Sequence, residues 1–354
     1  MTDDEAQSKL YLRDYRPRPR LVTRATEVKE PRFPVVDAHN HLAEPFGGGW
    51  DKRPVDELLE LLDLAGVATY VNLDGGWGEE ILYQHLDYFK AAAPERFLVF
   101  GGVDWAAWEQ HGDHFGEWAA GRLRIQAAAG AQGLKIWKPF GLQVRDHKDR
   151  LVAVDDPRLD PLWAAAGELD LPVMIHVADP TAFFDPLDNR NERWEELANH
   201  PEWHFPSPPH PSFQSILDGL AGLVIRHQAT TFIGAHVGCY AENLAWVGQL
   251  LDQCPNYYLD ISARIGELGR QPYSARRFIL EHSDRVLFGT DAGPNLETYR
   301  IYYRFLETDD EYFNYGPTEV PAQGRWRIYG LHLPDDVLEK VYHLNARRVL
   351  LLEG

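Results

Sequence analysis

Asp37-Ala38-His39-Asn40-His41 closes the apolar run Phe33-Pro34-Val35-Val36. Two histidines one residue apart on a strand point to the same side. Two imidazoles aimed at one point are an arrangement that holds a metal ion; the alternative is a pair of exposed loop histidines. What separates the two readings is what stands at the ends of the later apolar runs. Lys135 lies in Gly133-Leu134-Lys135-Ile136, and His176 follows Val173-Met174-Ile175. His236 sits in Gly234-Ala235-His236-Val237-Gly238, and Asp291 follows Val286-Leu287-Phe288-Gly289-Thr290. A carboxylate at the mouth of a dry core needs a compensating charge, and a cation supplies it.

The elements that must position these residues alternate along the chain. Short β-rich runs are expected at 35–39, 69–73, 97–103, 133–137, 172–177, 231–235, 257–261 and 285–289. Helical patterns fall between them, the clearest at 54–65, where Leu58, Leu59, Leu61, Leu62 and Leu64 give an apolar face. Others are expected at 79–93, 118–129, 161–169, 212–227 and 241–254, up to residue 281, and at 335–351. Eight strand–helix units imply a parallel sheet, and their number implies closure into an α/β (β/α)8 TIM barrel. The barrel is expected to fill 33–354 as one domain, with 1–32 as an extended arm carrying Arg16-Pro17-Arg18-Pro19-Arg20. Two connections, 178–211 after strand five and 292–332 after strand eight, are too long for plain loops. Both are rich in aromatics and leave the C-terminal strand ends, where barrel active sites sit. They are expected to act as lids, or to form a subunit interface.

Composition narrows the partners. The 354 residues are 44% hydrophobic and 25% charged, an ordinary globular balance. A formal net charge of -19 argues against nucleic acid or an anionic membrane surface. A small-molecule substrate is left, since a pocket can carry its own local charge. Cys239 and Cys254 are the only cysteines, so no disulfide framework is implied and a reducing, cytoplasmic setting is expected. The first residues, Met1-Thr2-Asp3-Asp4-Glu5, are acidic and lack the apolar core of a signal peptide. No apolar run reaches membrane-spanning length. The arm and the aromatic connections fit a homodimer, with a hetero-oligomer still open.

The order His-x-His, Lys on strand four, His, His, Asp resembles the amidohydrolase superfamily. The resemblance is to its amidohydrolase-related branch, which includes the aminocarboxymuconate-semialdehyde decarboxylase-like enzymes. It runs from about residue 33 to the C-terminus and takes in Asn345-Ala346-Arg347-Arg348. It implies a (β/α)8 barrel and a divalent metal, usually zinc. In the mononuclear form it implies His39, His41, His176 and Asp291 as ligands, with His236 contacting water or a substrate oxygen. In the dinuclear form it adds Lys135 as a carboxylated bridge, with His176 and His236 on the second ion, and iron or manganese becomes possible. Lys138, further along the same strand and on its opposite face, is the less favoured lysine.

A divalent ion held by neutral imidazoles keeps enough positive charge to acidify water. Asp291 is expected to move the proton, and His236 to orient the attacked oxygen. Asp37 is expected to hold a ligand ring from behind. Arg264, just past strand seven, is a candidate to pair a substrate carboxylate, with an ion pair to Glu267 as the alternative. Trp137 is expected to line the pocket. The remaining histidines, His85 and His343 among them, are expected on the surface, and His204 and His210 outside the pocket. The leading expectation is a metal-dependent hydrolase that cleaves a C–N or C–O bond of a small, carboxylated substrate. Behind it stand a non-oxidative decarboxylase with the same ligands, a dinuclear iron or manganese oxygenase, and a non-catalytic partner subunit with a structural metal.

Overall fold

The computed structural model describes residues 11, 15, 17–44, 46–318 and 322–352. Residues 1–10, 12–14 and 16 of the expected arm lie outside them. Residues 17–34 form neither helix nor strand. They are tied to the body at Thr26, whose N–H and hydroxyl donate to Asp310 at 2.6 and 2.8 Å, and at Arg32, whose N–H donates to Glu307 at 3.1 Å.

Among the described residues, eight strands appear where the apolar runs place them. They are β1 (Val35–Asn40), β2 (Val67–Asn72), β3 (Phe97–Val99), β4 (Leu134–Ile136), β5 (Val173–Ile175), β6 (Phe232–Gly234), β7 (Tyr257–Asp260) and β8 (Val286–Leu287). All neighbours pair in parallel, β1 to β3 in one sheet and β4 to β8 in another. The ladders are shorter than the runs. Isolated backbone bonds cross both seams. Gly101 N–H donates to Gly133 O at 2.9 Å and Lys135 N–H to Gly101 O at 2.8 Å, while Ala38 N–H donates to Phe288 O at 3.0 Å and Asp291 N–H to His39 O at 2.9 Å.

The strands are buried on both faces, as helix-covered parallel strands must be. An inner core holds Val36, Val71, Leu98, Phe100, Met174, Ile233 and Leu287. Ala346, Val349 and Leu350 of the last helix join it. A larger outer core packs the strands against the helices. Helix α1 (Val55–Ala65) buries Leu58, Leu62 and Ala65 and stops at Gly66, whose φ of 73° suits a left-handed cap. α2 (Glu79–His85) runs on through a wide turn to Lys90. α3 (Phe115–Ala129), α4 (Asp160–Glu168), α5 (Trp194–Asn199), α6 (Phe213–Arg226), α7 (Leu244–Gln253), α8 (Ile265–Arg270) and α9 (Pro272–Glu281) follow. Ser212 caps α6 by accepting from Ser215 N–H.

One helix was hidden in the aromatic stretch after strand eight. α10 (Leu296–Glu307) is capped by Asn295 and buries Tyr299, Tyr302, Tyr303, Phe305 and Leu306. These aromatics recur at helical spacing and pack on Phe288, so they are core and not a roof. The chain closes with α11 (Asp335–Glu339) and α12 (Asn345–Val349).

Candidate metal centre

The C-terminal ends of the strands gather around a cavity of about 290 Å³, bordered by His41, His176, His236 and Asp291. Asp291 is the hub. Its Oδ1 lies 3.3 Å from His41 Nε2 and 3.9 Å from His39 Nε2, and its Oδ2 lies 3.6 Å from His236 Nε2. His39, His41 and Asp291 offer donor atoms all within 4.8 Å of one another. Lys135 reaches the same point, with Nζ 3.1 Å from His39 Nε2. The His176 ring lies 4.4 Å from that of His236.

What fixes the rings is behind them. His39 Nδ1 donates to Asp260 Oδ2 at 2.9 Å, His41 Nδ1 to Asp74 Oδ1 at 2.7 Å, and His236 Nδ1 to the Ser262 carbonyl at 2.9 Å. A carbonyl only accepts, so the proton of His236 is on Nδ1 and its Nε2 carries a lone pair. A neutral ring with its proton on Nδ1 likewise leaves a lone pair on Nε2 in His39 and His41. Histidine held by a carboxylate and facing inward with the other nitrogen is the usual build of a metal ligand. His41 Nε2 and His176 Nε2 are buried with no hydrogen-bond partner, although buried polar atoms are nearly always paired. The donor set, neutral nitrogens plus a carboxylate, therefore fits a divalent ion.

The charges agree. Burial holds the His39 and His236 rings below the usual histidine range, hence neutral. At His41 burial acts the same way, but Asp291 and Asp74 outweigh it and the net direction is up. Burial would raise Asp291, yet His39, His41 and His236 pull it well below the usual carboxylate range. Burial lowers the Lys135 amine to about 8.

The backbone is bent to aim these groups. His236, Val237, Gly238 and Cys239 have φ of 58°, 59°, 63° and 62°, and Ala263 and Asp291 have 52° and 51°. Left-handed non-glycine residues cost about 1–2 kcal/mol each, and such strain collects at functional sites. Asp260 Oδ1 helps to hold it, accepting from His236 N–H at 3.1 Å. Gly76, after β2, leaves room for the site; a Cβ there would come within 2.4 Å of Trp137 Nε1 and 2.8 Å of Lys135 Cγ.

Several expectations are corrected here. Asp37 does not hold a ligand ring. β1 shifts register between Asp37 and Asn40, which breaks simple alternation. Asp37 instead accepts from Tyr299 Oη at 2.7 Å, Asn40 Nδ2 at 2.8 Å and Thr290 Oγ1 at 3.0 Å, and burial raises it to about 6. Asp74 and Asp260 do the work assigned to it. His85 is not on the surface: it is buried and bonds Asn72 Nδ2 at 2.7 Å. Lys138 is not turned away. The strand ends at Ile136, the chain curls, and Lys138 borders the cavity with Nζ 2.5 Å from Asp179 Oδ2.

The rest of the cavity wall mixes aromatic side chains with charged ones of both signs. Trp137 stacks on His41 at 5.0 Å and on Trp77 at 4.0 Å, and Trp77 stacks on Phe46. Phe183 and Trp203 come from the connection after β5, as do Arg193 and Glu196. From the connection after β8, only Gln323 reaches the wall among the described residues beyond Asp291. Arg264 borders the cavity and is buried, and among the described residues its side chain donates only to the Ala263 carbonyl, at 2.9 Å. Glu267, its alternative partner, is taken by Arg193, which also binds Glu196 at 2.7 Å. His204 and His210 do not border the cavity.

A family model described as Amidohydrolase matches residues 36–352. No curated protein matches this chain. Among solved structures, it is similar to 2,6-dihydroxybenzoate decarboxylase from Rhizobium (TM-score 0.57, 18% identity, 91% of this chain and 100% of that one). It is also similar to a Tim-barrel protein, Bb4693, from Bordetella bronchiseptica (TM-score 0.52, 17% identity, 90% and 98%). A third is dihydroxybenzoic acid decarboxylase from Polaromonas sp. JS666, with bound manganese and the inhibitor 2-nitroresorcinol (TM-score 0.51, 19% identity, 84% and 86%). At these identities the likeness is one of fold.

Proposed function

The chain belongs to the amidohydrolase family, and from that premise we propose that it is a metal-dependent hydrolase acting on a C–N or C–O bond of a small carboxylated substrate. One observation carries the reading. Asp291 touches the histidine cluster and is its one open member, with 24% of its side chain exposed against 1–2% for His39, His41 and His236. Water can reach that carboxylate and not the atoms behind it. We read the eight parallel strands as one (β/α)8 barrel, supported by the hydrogen bonds across both seams, with the connection after β5 as a lid.

His39, His41, His176 and Asp291 would hold the ion, with Lys135 and His236 beside them. Bound there, a divalent ion supplies Lewis acidity and lowers the pKa of water. Zinc suits nitrogen ligands with one carboxylate, and manganese is the alternative carried by the Polaromonas structure. Asp291 takes the proton as water oxygen attacks the substrate carbonyl carbon, then delivers it to the departing nitrogen or oxygen as that bond breaks. His236 positions the attacked oxygen. Arg264 pairs the substrate carboxylate bidentately. Trp137, Trp77 and Phe183 exclude water from the substrate body.

A second reading, non-oxidative decarboxylation, is favoured by Arg264. Among the described residues no carboxylate lies within ion-pair distance of this buried guanidinium, and it faces an aromatic slot that suits an aromatic or enoic acid. The same Asp291 or His236 would then give a proton to the carbon that loses carbon dioxide.

The test is a panel of amides, lactones and hydroxybenzoates offered to metal-loaded protein, with released amine, ring-opened acid and carbon dioxide measured in parallel. Hydrolysis products without carbon dioxide are expected. Carbon dioxide release alone would replace the first reading with the second. Turnover by protein stripped of metal would contradict both.

A further inference from the structure

Arg264 caps α8 and Glu267 lies in its first turn, a spacing that brings opposite charges together on a helix. They do not pair. Arg193, buried in the connection after β5, takes Glu267 with Nη2 and Glu196 with Nη1, the latter at 2.7 Å. Its guanidinium lies over the Trp326 ring at 5.2 Å. The segment that carries it is moored on two sides. Glu192 accepts from both terminal nitrogens of Arg270, at 2.7 and 3.0 Å, and Glu195 accepts from Arg325 Nε and Nη2, each at 2.7 Å. A buried guanidinium needs compensating charge, and Arg264 has it without contact. Arg193, Glu196 and Glu267 together carry one net negative charge. Arg264 acts on that group through space, since with Arg193 it opposes the upward effect of burial on the Glu196 carboxyl. The charge of Arg264 is thus balanced while its N–H donors stay unspent, apart from the one on the Ala263 carbonyl.

We propose that Arg193 is a positioning residue for substrate recognition: it holds Glu196 and Glu267 off Arg264 and so keeps that guanidinium open for a substrate carboxylate. The inference rests on the reading of Arg264 as the partner of that carboxylate, and adds what keeps it free. Arg193, Glu196 and Arg264 all border the cavity. A carboxylate entering there meets the donors of Arg264 at contact, where charge-assisted hydrogen bonds are strong. The two acids stay bonded to Arg193 meanwhile. Without Arg193 either acid is free to close on Arg264 and compete with the substrate. The property that Arg193 secures is preference for an anion over a neutral molecule of the same shape.

The test compares benzoate with benzamide, its neutral counterpart, on the protein as purified. Binding is followed by the fluorescence of Trp77, Trp137 and Trp203, which border the cavity. The proteins are wild type, Arg264→Met, Arg193→Met, Arg193→Lys and the triple variant Arg193→Met, Glu196→Gln, Glu267→Gln. Arg264→Met and Arg193→Met are each expected to weaken benzoate about tenfold or more and to leave benzamide near its wild-type affinity. The triple variant, with no acid left to close on Arg264, should bind benzoate at least as tightly as wild type. Arg193→Lys keeps the charge but not the fork that holds two acids, and should lose part of the benzoate affinity. It carries the prediction if Arg193→Met does not fold. Wild-type benzoate affinity in the Arg193 single variants overturns the inference. So does a triple variant as weak as Arg193→Met, because removal of the competing acids would then have released nothing. Wild type that does not prefer benzoate, or Arg264→Met that keeps wild-type benzoate affinity, would instead bring down the reading of Arg264 itself.

Discussion

Buried polar groups occur at both ends of the strands, and the two ends treat them differently. At the N-terminal end the side-chain amides are spent on backbone carbonyls, although Asn256 Oδ1 there has no hydrogen-bond partner. Asn345 of α12 donates to the carbonyls of Ser283 and Val286 at 2.7 and 2.8 Å, below the start of β8. Away from the cavity too, Asp310 is held by Thr26 and by Arg304 at 2.7 Å, and Glu307 by Tyr342 at 2.8 Å. At the C-terminal end pairing stops one atom short. The outer nitrogens of His39, His41 and His236 are bonded, while the inner nitrogens of His41 and His176 have no hydrogen-bond partner. What sets the C-terminal end apart is that its unpartnered atoms are imidazole nitrogens gathered near one carboxylate, the donor types a divalent ion takes.

Substitutions should split along that line. The largest effect belongs to His41→Ala: kcat/KM should fall by about a thousandfold or more, in line with loss of a group that organises the reaction. Metal content should fall with it and the melting temperature should hold. A His41→Ala protein that keeps its metal and rate would erase the distinction. Next comes Asp260→Asn, which leaves the ligands in place and loosens what aims His39. Metal affinity should drop about 10–100-fold, read by competition with a chelator. An unchanged affinity would reduce Asp260 to a core residue.

At the other end the pattern should invert. Asn345→Ala leaves two buried carbonyls without a donor, and should cost about 1–3 kcal/mol of stability. Its kcat/KM per folded molecule should stay at the wild-type value, measured beside a denaturant melt. The smallest effect is one of pH. Burial would raise Asp310, but the Thr26 N–H, the Thr26 hydroxyl and Arg304 bring it below the usual carboxylate range. Its folded pKa is thus below its unfolded one, so its contribution is complete above the unfolded value of about 4 and fades as pH falls from there through the lower, folded one. Asp310→Asn should flatten that part of the stability–pH curve; a curve of unchanged slope would assign the acid loss to other carboxylates.

The strand order and the ring of His39, His41, Lys135, His176, His236 and Asp291 were legible because each follows an apolar run at a strand's end. Asp74 and Asp260 give the same signal as Asp291, a lone acid closing an apolar run. They were passed over because nothing local tells a carboxylate that holds a ring from one that caps a turn. Asp37 misled because β1 is irregular, and a register shift is a tertiary event that strand periodicity does not show. α10 was missed because its tyrosines, read as roof aromatics, repeat at three and four residues and face the core. The alternative pairing of Arg264 with Glu267 is excluded by Arg193, a distant competitor in sequence that no local pattern announces.

The central claim is that the unsatisfied nitrogens and Asp291 exist to hold a divalent ion. Elemental analysis of protein purified without added metal tests it most directly. The account predicts at least one zinc or manganese per chain, lost in His41→Ala and retained in Asn345→Ala. Protein that carries no metal, and takes up neither zinc nor manganese when offered them, would contradict it.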